Sequence, residues 1–315
     1  MKKVDAFYDL VNQATMIHYR SLKTDYLDSL LLTAHGIIHE NYDDRLSDKE
    51  KNELEIIYHK VYSTDFLNEE VRLASQLLIV KAFKQIGYPL DLMTPDAVNY
   101  IIANIVDRRY QSQAISILDT ALGTGNMLQT ISNHMSVSPS LYGIEQDWRL
   151  VQLARTLANL QTNAIIIYYQ DAIRDIIEKV DLVIGDLDGY FVKEGLESGS
   201  DLYMQGVRYF PYLVIDARLK NLKKNGFFIY IVNNDFFSQP KYDLFHKQIK
   251  KQATIMGLIA LPDAIFQKCH FGKSILIGRK KAIAKYQMMI LSVNAVNKKG
   301  LEKALYNINR MIDQF

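Results

Sequence analysis

The sequence predicts an α/β protein in which a small all-helical domain precedes a mostly parallel seven-stranded sheet with helices on both faces. Two observations predict this fold. Apolar residues recur at helical spacing through the first 90 residues, and from residue 91 onward short β-branched runs alternate with helical segments. Strands that alternate with helices indicate right-handed crossovers and parallel pairing. We therefore assign residues 1–90 to a helical domain and residues 91–315 to an α/β domain.

The predicted helical domain carries recognisable helix signals. Phe7, Val11 and their helical neighbours share one apolar face. Ser47 begins a capping box, because a glutamate follows three residues later. Asn68 is a candidate N-cap for another helix, which Gly87 would end. Such a domain is typical of a packing or interaction module.

Seven nearly continuous apolar runs are the predicted strands, and this composition indicates strands that are buried on both faces. The runs lie at 115–119, 141–145, 164–169, 181–186, 226–232, 254–261 and 273–279. Helices are predicted from residue 126 and over 147–160, 172–178, 208–224 and about 240–252. A candidate edge strand, QMMILSV, and an amphipathic helix follow the seventh run.

Composition excludes several classes of protein. Hydrophobic residues make up 49% and charged residues 23%, which is typical of a soluble globular chain. The single cysteine, Cys269, excludes a disulfide within the chain and a thiolate zinc site, and it fits a cytoplasmic location. The histidines have no HExxH or HxH spacing, so we expect no metal. No apolar run reaches the length of a membrane span, so we expect no membrane partner.

The formal net charge of +2 conceals an asymmetry along the chain. Residues 217–315 contain 18 Lys and Arg against 5 Asp and Glu, whereas residues 1–216 contain 19 against 30. A basic segment of this kind is either a solvated face or a surface that contacts phosphates.

Ligands of open α/β sheets bind at the carboxyl ends of the strands, so the loops after the first three strands are candidate binding loops. The first loop has two glycines one residue apart, which let the backbone approach a ligand and begin a helix. Acidic residues follow the second and third strands, where they could accept ribose hydroxyls and an adenine amino group. Each could instead be a turn or cap residue, and both NAD and S-adenosylmethionine fit this pattern. The candidates are Asp119, Gly123, Gly125, Asn126, Glu145 and Asp171.

The chain resembles the class I S-adenosylmethionine-dependent methyltransferases, in particular the adenine-specific DNA methyltransferases. ILDTALGTGNML at 117–128 resembles that family's ILDPACGTGNLL, with Thr120 and Leu122 in place of proline and a small residue. Thr94 and Pro95 resemble the segment that closes over the methionine end of the cofactor, although they are also a good N-cap and first helical residue. The resemblance covers about residues 68–280 and is strongest to a small bacterial branch with a helical N-terminal domain. It implies a Rossmann-like methyltransferase fold and S-adenosylmethionine as cofactor.

The resemblance also implies a catalytic loop after the fourth strand. The family carries Asn/Asp-Pro-Pro-Tyr/Phe there, and this chain has DLDGYF at 186–191. An aromatic amine is a poor nucleophile, and acceptors for its two hydrogens localise its lone pair toward the methyl group. Asp186 and the Leu187 carbonyl match these acceptors, and Tyr190 or Phe191 matches the aromatic platform for a flipped base.

The loop departs from the family pattern in two ways. Both prolines are missing, so the fixed φ that they supply is lost, and Gly189 adds backbone freedom. Asp188 places a second carboxylate beside Asp186, and one of two buried neighbours would tend to become protonated.

Three further groups carry weaker hypotheses. Asn233–Asp235 follows a strong strand and could line the substrate side or form a polar turn. Cys269 and His270 could pair as nucleophile and base, although adjacent residues rarely face each other. Lys273 belongs to the basic end of the chain and is expected on a solvated or phosphate-contacting surface.

The sequence thus predicts an S-adenosylmethionine-dependent methyltransferase that modifies an exocyclic amino group of a nucleic-acid base. The expected partner is nucleic acid, DNA ahead of RNA, bound through the basic C-terminal half. Only 36 residues follow the last core strand, so specificity would need a partner protein, bound through the N-terminal helices, or those helices themselves. The alternatives are a cofactor-binding accessory protein without turnover and, third, an NAD-dependent enzyme.

Overall fold

The computed structural model describes residues 2–266, 272–293 and 298–315. These residues form eleven α-helices and one eight-stranded sheet. The helices are α1 Lys2–Leu22, α2 Tyr26–His39, α3 Asp48–Ser63, α4 Asn68–Ile86, α5 Asp96–Tyr110, α6 Asn126–His134, α7 Trp148–Leu160, α8 Asp201–Met204, α9 Phe210–Leu219, α10 Tyr242–Ile249 and α11 Lys298–Ile312. The strands are β1 Ser116–Asp119, β2 Ser140–Glu145, β3 Ile165–Tyr169, β4 Val180–Asp186, β5 Leu222–Asn233, β6 Thr254–Ala260, β7 Lys273–Arg279 and β8 Met289–Ser292.

The strands follow the order β3-β2-β1-β4-β5-β7-β6-β8. Parallel pairs join β1 to β2 and β4, β4 to β5, and β6 to β8, whereas β7 runs antiparallel between β5 and β6. The predicted α/β class is confirmed, and the candidate edge strand is an eighth strand beyond the seven predicted. Because β7 is antiparallel, its first residue, Lys273, pairs with Asn233 at the carboxyl end of β5.

The chain divides into two compact units. The first comprises Met1–Met93, Gly123–Asn133 and Asp147–Ile165. The second comprises Thr94–Leu122, His134–Gln146 and Ile166–Phe315. Within the described residues, no helix is long and apolar enough to cross a membrane.

The first unit buries two apolar clusters. One joins α1 to α4 through side chains that include Phe7, Val11 and Leu54. The other packs Phe83 of α4 against Leu153 and its neighbours in α7. Burial of these faces is the main driving force for packing the helices together.

The predicted helix ends of the first unit are partly confirmed. Ser47 forms its capping box, because Glu50 N donates to Ser47 Oγ at 3.4 Å and Ser47 N donates to Glu50 Oε2 at 2.8 Å. The predicted cap at Asn68 is wrong, since Asn68 is already the first residue of α4. Gly87 ends α4 as predicted, with a φ of 76°.

The second unit is built on β4 and on the part of β5 from residue 226 onward, whose side chains are almost fully buried. Two helix predictions fail here. The predicted helix at 208–224 is the shorter α9, and residues 172–178 form a turn rather than a helix. Asp171 closes this turn, because its Oδ1 accepts from Ile173 N at 3.0 Å. Aspartate is favoured at the start of a helix, but here its side chain stabilises a turn that does not continue into one.

Candidate active site

The loop between β1 and α6 has the backbone that the glycine pattern predicted. Gly123 has a φ of 52° and Gly125 a φ of 77°, in the left-handed region that glycine adopts without strain. Gln129 N donates to the Gly125 carbonyl at 3.0 Å, so α6 begins directly after the second glycine.

Two unusual residues of this loop are each accommodated by a glycine on a neighbouring strand. Thr120 Oγ1 and N both donate to the Ile184 carbonyl, and a Cβ at Gly185 would lie 2.5 Å from that hydroxyl. A Cβ at Gly143 would lie 2.6 Å from the side chain of Leu122. Thr120 and Leu122, which replace the family's proline and small residue, therefore fit because Gly185 on β4 and Gly143 on β2 leave room for their side chains.

Asp119, at the carboxyl end of β1, is a buried acid that needs a donor. It is 1% exposed, and among the described residues its Oδ2 has no hydrogen-bond partner. Oδ1 accepts from Ala121 N at 3.0 Å. Burial raises the pKa of Asp119 to about 7, and the charges of Glu145 and Asp186 reinforce this shift. Three acids thus meet at the carboxyl ends of β1, β2 and β4, an arrangement that favours a cationic ligand.

The two remaining acidic candidates lie at the ends of β2 and β3. Glu145 ends β2 and accepts from Gln146 N at 2.8 Å, and its carbonyl accepts from Gln170 N at 3.1 Å. Asp171 closes the turn after β3 and lies close enough to Tyr190 to affect its ionisation. Both therefore stand at the edge where a ligand of this fold binds.

Asp186, at the carboxyl end of β4, uses both carboxylate oxygens. Oδ2 accepts from Thr94 Oγ1 at 2.9 Å, and Oδ1 accepts from Lys273 Nζ at 2.7 Å. Burial raises the pKa of Asp186, and the charge of Asp188 adds to this effect, whereas Lys273 and Thr94 oppose it. The structure therefore brings the predicted acceptor together with the predicted Thr94.

Thr94 does not cap a helix, so the alternative interpretation of this residue as an N-cap is wrong. The N-cap of α5 is Pro95, and the helix begins at Asp96. Asn99 Nδ2 donates to the Thr94 carbonyl at 3.0 Å, and the hydroxyl is directed to Asp186 instead of a helix end. The hydroxyl therefore bonds to a residue 92 positions away in the sequence rather than to a backbone N–H at the start of α5.

Lys273 lies in the site, whereas the sequence predicted a solvated or phosphate-contacting surface for it. Its side chain is only 10% exposed, and Nζ contacts Asp186 Oδ1 at 2.7 Å and Asp188 Oδ1 at 3.2 Å. Burial disfavours the charge on Lys273, but the two carboxylates outweigh it and raise the pKa of the ammonium. The antiparallel direction of β7 is the physical reason for this position.

The remainder of the DLDGYF loop presents two aromatic rings. Tyr190 stacks on Phe210 with ring centroids 4.5 Å apart, and Phe191 lies 5.5 Å from the ring of Tyr209. Tyr190 is 41% and Phe191 is 54% exposed. Burial, with the charges of Asp171 and Asp188, raises the pKa of Tyr190. Each ring thus packs against another aromatic ring and is still exposed enough to contact a planar ligand.

The backbone of the loop is held at several points. The buried Leu187 donates through N to the Ile231 carbonyl at 2.9 Å, which fixes the peptide whose carbonyl is the second predicted acceptor. A Cβ at Gly189 would lie 2.5 Å from Asn233 Nδ2 and 2.8 Å from the Tyr209 hydroxyl. A larger residue at this position would therefore require the Asn233 amide and the Tyr209 hydroxyl to move.

In the first unit, Asn126 at the start of α6 is bound by an arginine that the sequence reasoning missed. Arg72 of α4 is 2% exposed, and its NH1 donates to Asn126 Oδ1 at 2.6 Å. Glu69 pairs with the same guanidinium at 2.6 Å. A helix that was expected only to pack thus orients a candidate cofactor residue, and a buried arginine gives no distinctive signal in a single sequence.

The weaker hypotheses have mixed outcomes. Asn233 packs beside the DLDGYF loop, and Asn234 accepts from Ser274 Oγ at 2.7 Å. The predicted pair Cys269 and His270 lies outside the described residues. Across the described ranges, no group of three His, Cys, Asp or Glu side chains could hold a metal ion.

Comparison with known protein families connects this geometry to a family. Residues 84–315 match the family model of the N-6 DNA methylases. The chain belongs to the N-6 DNA methylase family. Residues 5–83 match the YtxK N-terminal helical domain. S-adenosylmethionine is the cofactor of this family, which confirms the predicted methyl donor.

Individual relatives agree with this assignment. The uncharacterized protein YtxK of Bacillus subtilis is 30% identical over 269 residues, covering 83% of this chain and 82% of that protein. The crystal structure of a candidate class I S-adenosylmethionine-dependent methyltransferase from Listeria monocytogenes is 25% identical, with a TM-score of 0.83 and 99% coverage of both chains. A type I restriction-modification methyltransferase subunit from Streptococcus thermophilus shares the fold, with a TM-score of 0.65, 15% identity and coverage of 97% and 74%.

The acidic residues present fit S-adenosylmethionine. Its sulfonium and ammonium groups are cations, and the buried Asp119 Oδ2, which has no hydrogen-bond partner among the described residues, is an acceptor suited to such a ligand. Glu145 and Asp171 end neighbouring strands and offer acceptors for ribose and adenine. The chain is thus a methyltransferase-family protein whose acidic edge suits the family's cofactor.

Proposed function

We propose that the protein transfers a methyl group from S-adenosylmethionine to an exocyclic amino group of a nucleic-acid base. The observation that supports this proposal best is the position of Asp186. It ends β4 beside the exposed rings of Tyr190 and Phe191, so a hydrogen-bond acceptor and a stacking surface lie on one loop. An amino group on a planar base requires both features.

Asp186 and Leu187 would activate the amine. When bound, S-adenosylmethionine supplies an electrophilic methyl group. The Asp186 carboxylate and the Leu187 carbonyl would accept the two amine hydrogens, which localises the nitrogen lone pair. Thr94 holds Asp186 Oδ2 at 2.9 Å and thereby limits its rotation. Most of the rate enhancement would come from this orientation of the reacting groups.

The aromatic rings would hold the base. Tyr190 rests on Phe210 at an interplanar angle of 18°, so its other face can stack on a base without a change in the loop. Phe191 is more exposed and has a tilted contact with Tyr209. Base–aromatic stacking stabilises such complexes by about 1–3 kcal/mol per base.

The cofactor residues in the second unit would be Asp119, Glu145 and Asp171, which carry the acceptors. In the first unit, the resemblance assigns Gly123, Gly125 and Asn126 the same function. Pro95 would set the start of α5 after Thr94.

The proposed partner is nucleic acid, DNA ahead of RNA, bound through the basic C-terminal half. Most cations of this half that the structure describes near the sheet gather at the amino ends of the parallel strands. We name these cations, together with Lys179 just before β4, the amino-end basic surface; its other residues are Lys220, Lys223, Lys224, Lys250, Lys251, Arg279, Lys280 and Lys281. All except Arg279 and Lys280 are exposed. A row of exposed cations suits the phosphate backbone.

The amino-end basic surface lies away from Asp186. Lys273 and Arg279 mark the two ends of β7, and at about 3.3 Å per residue they are about 20 Å apart. Nucleic acid bound at this surface would therefore need to extend around the sheet to reach the aromatic loop. We propose that it contributes affinity without reading sequence.

Specificity would then come from elsewhere. The name of the Streptococcus thermophilus relative describes it as a subunit of a restriction-modification system, and we propose that this chain also works with a partner protein. The N-terminal helices are the proposed contact surface, because they add a domain that the α/β fold does not need. We also propose a cytoplasmic location, based on the single cysteine.

One observation favours a second candidate function. Both oxygens of Asp186 already have internal donors, and the loop lacks both family prolines. A carboxylate can accept about four hydrogen bonds, so an amine could still be bound. If it is not, the protein would bind the cofactor and act as an accessory factor on nucleic acid.

Label transfer distinguishes the two functions. Purified protein is incubated with methyl-labelled S-adenosylmethionine and, separately, unmethylated DNA, RNA and cell protein. We expect label on DNA and its loss in Asp186→Ala, while calorimetry shows that the variant still binds the cofactor. No transfer to any acceptor despite cofactor binding would support the accessory function, and label on protein or RNA alone would contradict the DNA assignment.

A further inference from the structure

The DLDGYF loop is held by tertiary contacts where the family has two prolines. Its backbone is bound at three points, where Leu187 N donates to Ile231 O at 2.9 Å, Val192 N to Arg208 O at 2.8 Å, and Phe210 N to Tyr190 O at 2.9 Å. These bonds fix the chain on either side of the Asp188–Gly189 segment. The side chains at the start of the loop need separate support, because backbone bonds do not set χ1 of an aspartate.

Lys273 gives that support from another strand. Nζ lies 2.7 Å from Asp186 Oδ1 and 3.2 Å from Asp188 Oδ1, so one ammonium bridges two carboxylates that are two residues apart. The Phe266 ring lies 5.9 Å from the same ammonium. A lysine side chain that is only 10% exposed is costly to bury in its charged form unless partners compensate the charge, and here two acids do so.

We propose that Lys273 is a positioning residue for methyl transfer, in which its ammonium holds Asp186 to Asp188 as a clamp and orients the acceptor carboxylate of a loop that lacks the family's two prolines. This inference rests on the proposed function. It assigns a role to a lysine that contacts neither the amine nor the methyl group in the proposed reaction.

The clamp also sets the charge of the acceptor. Among the residues that the structure describes, the groups that face Asp186 are Lys273, Asp188, Thr94 and the more distant Asp119. Burial and Asp188 raise the pKa of Asp186, and Lys273 is the one cation among these groups that opposes them. Removal of that cation would raise the pKa further, so a larger share of Asp186 would be protonated at neutral pH and unable to accept from the amine.

Two roles of the Lys273 ammonium make opposite predictions: it could hold the loop in place, or it could block the position of the target amine. If the ammonium merely occupied the place of the target amine, its removal would free Asp186 Oδ1 and increase turnover. If it clamps the loop, its removal would release Asp186 and decrease turnover. The sign of the change in kcat therefore separates the two roles.

The test compares three variants. Lys273→Met removes the charge at nearly constant length, Lys273→Arg keeps the charge, and Lys223→Met is the matched control, because Lys223 forms an ion pair of the same 2.7 Å length with Asp181. Two measurements need no turnover. They are hydrogen exchange of the amides of residues 187–192 and a carbon NMR titration of Asp186.

For Lys273→Met we expect about tenfold faster exchange of the loop amides and a titration of Asp186 that moves to higher pH. In methyl transfer, kcat should fall about 10²-fold with a small change in KM. The acidic limb of its pH profile should move to higher pH, because ionisation of Asp186 then requires a more alkaline solution. Lys273→Arg should recover part of each effect, and Lys223→Met should leave the loop exchange and the titration of Asp186 unchanged.

Unchanged exchange and titration in Lys273→Met, or an increase in kcat, would overturn the proposal. If the wild type transfers no methyl group, the proposed function fails, whereas exchange and titration still decide whether Lys273 clamps the loop. If Lys273→Met does not fold, Lys273→Gln, which keeps a hydrogen-bond donor without the charge, gives the same comparison.

Discussion

Two lysine–aspartate pairs lie at opposite ends of the sheet, with the same length and different surroundings. Lys273–Asp186 and Lys223–Asp181 both measure 2.7 Å, but the side chains are 10% and 13% exposed in the first pair and 48% and 27% in the second. Burial raises the pKa of Asp186 despite its lysine. Burial opposes ionisation of Asp181 too, yet Lys223 and Ser116 outweigh it and lower that pKa.

The comparison teaches that the length of an ion pair does not determine its role. At the carboxyl end of the sheet, a buried cation is shared by two acids beside the aromatic loop, which is an arrangement that can tune a reacting group. At the amino end, exposed lysines outnumber acids, which is an arrangement that can attract a polyanion. The sequence contains both sets of lysines in one basic segment, and only the fold separates them.

The largest expected difference between the ends is in stability. At pH 8, Lys273→Met should lose about 3–5 kcal/mol of unfolding free energy, because it leaves Asp186 buried without its cation. Lys223→Met should lose less than about 1 kcal/mol, since its pair is exposed. Urea denaturation with unchanged m-values would measure both losses.

The pH dependence sharpens this prediction. A carboxyl with a raised folded-state pKa costs stability when it ionises, so the deficit of Lys273→Met should shrink as the pH falls and Asp186 takes up its proton. Equal losses in the two variants, or a deficit that is independent of pH, would remove the distinction between the two pairs.

The second prediction concerns the amino-end basic surface. The double variant Lys224→Glu with Lys281→Glu should weaken binding of duplex DNA about ten- to a hundredfold at low salt and reduce the slope of log affinity against log salt by about 2. Its cofactor affinity should stay unchanged, because Lys224 and Lys281 lie at the far end of the sheet from Asp119. Fluorescence anisotropy over a salt series measures both quantities.

The matched control reverses two exposed lysines of the helical domain, Lys49→Glu with Lys60→Glu. It has the same change in net charge and should retain most of the DNA affinity. If both double variants weaken DNA binding equally, net charge rather than the amino-end basic surface determines binding. Binding of anionic vesicles in preference to DNA would assign that surface to a membrane instead.

The third prediction is a smaller, pH-dependent effect at the carboxyl end. Because the pKa of Asp119 is raised to about 7, affinity for the cationic S-adenosylmethionine should increase about tenfold from pH 6 to pH 8 as the carboxylate forms. Calorimetry should show a weaker dependence for S-adenosylhomocysteine, which lacks the sulfonium charge, and almost none for Asp119→Asn. The same slope in that variant would show that another group titrates.

Much of the fold could be predicted from the sequence because local patterns determine it. The predicted strand at 273–279 coincides with β7, since a continuous apolar run leaves few alternatives. Ser47 formed its capping box for the same local reason. The alternative interpretation of Thr94 as a helix cap and the predicted helix at 172–178 were wrong, because a side chain found a different partner: Thr94 binds Asp186, and Asp171 closes a turn.

The site was less predictable, because its key contacts join distant parts of the chain. The positions of Asp119, Asp186 and Tyr190 follow from strand ends and from the family motif. Lys273 could not be placed, since its contact with Asp186 spans 87 residues and depends on the antiparallel direction of β7. Arg72 was missed for a similar reason, because its bond to Asn126 spans 54 residues.

The central claim is that the lysine–aspartate pair at the carboxyl end of the sheet serves catalysis and the pair at the amino end does not. The most direct test is the rate of methyl transfer to unmethylated DNA by Asp186→Ala and Asp181→Ala under single turnover. Both variants remove an aspartate that binds a lysine at 2.7 Å, and Lys273 keeps Asp188 as a partner in Asp186→Ala. The account predicts that Asp181→Ala retains the wild-type rate and that Asp186→Ala loses at least about 10² of it, with cofactor binding intact in both. Equal rates in the two variants would contradict it.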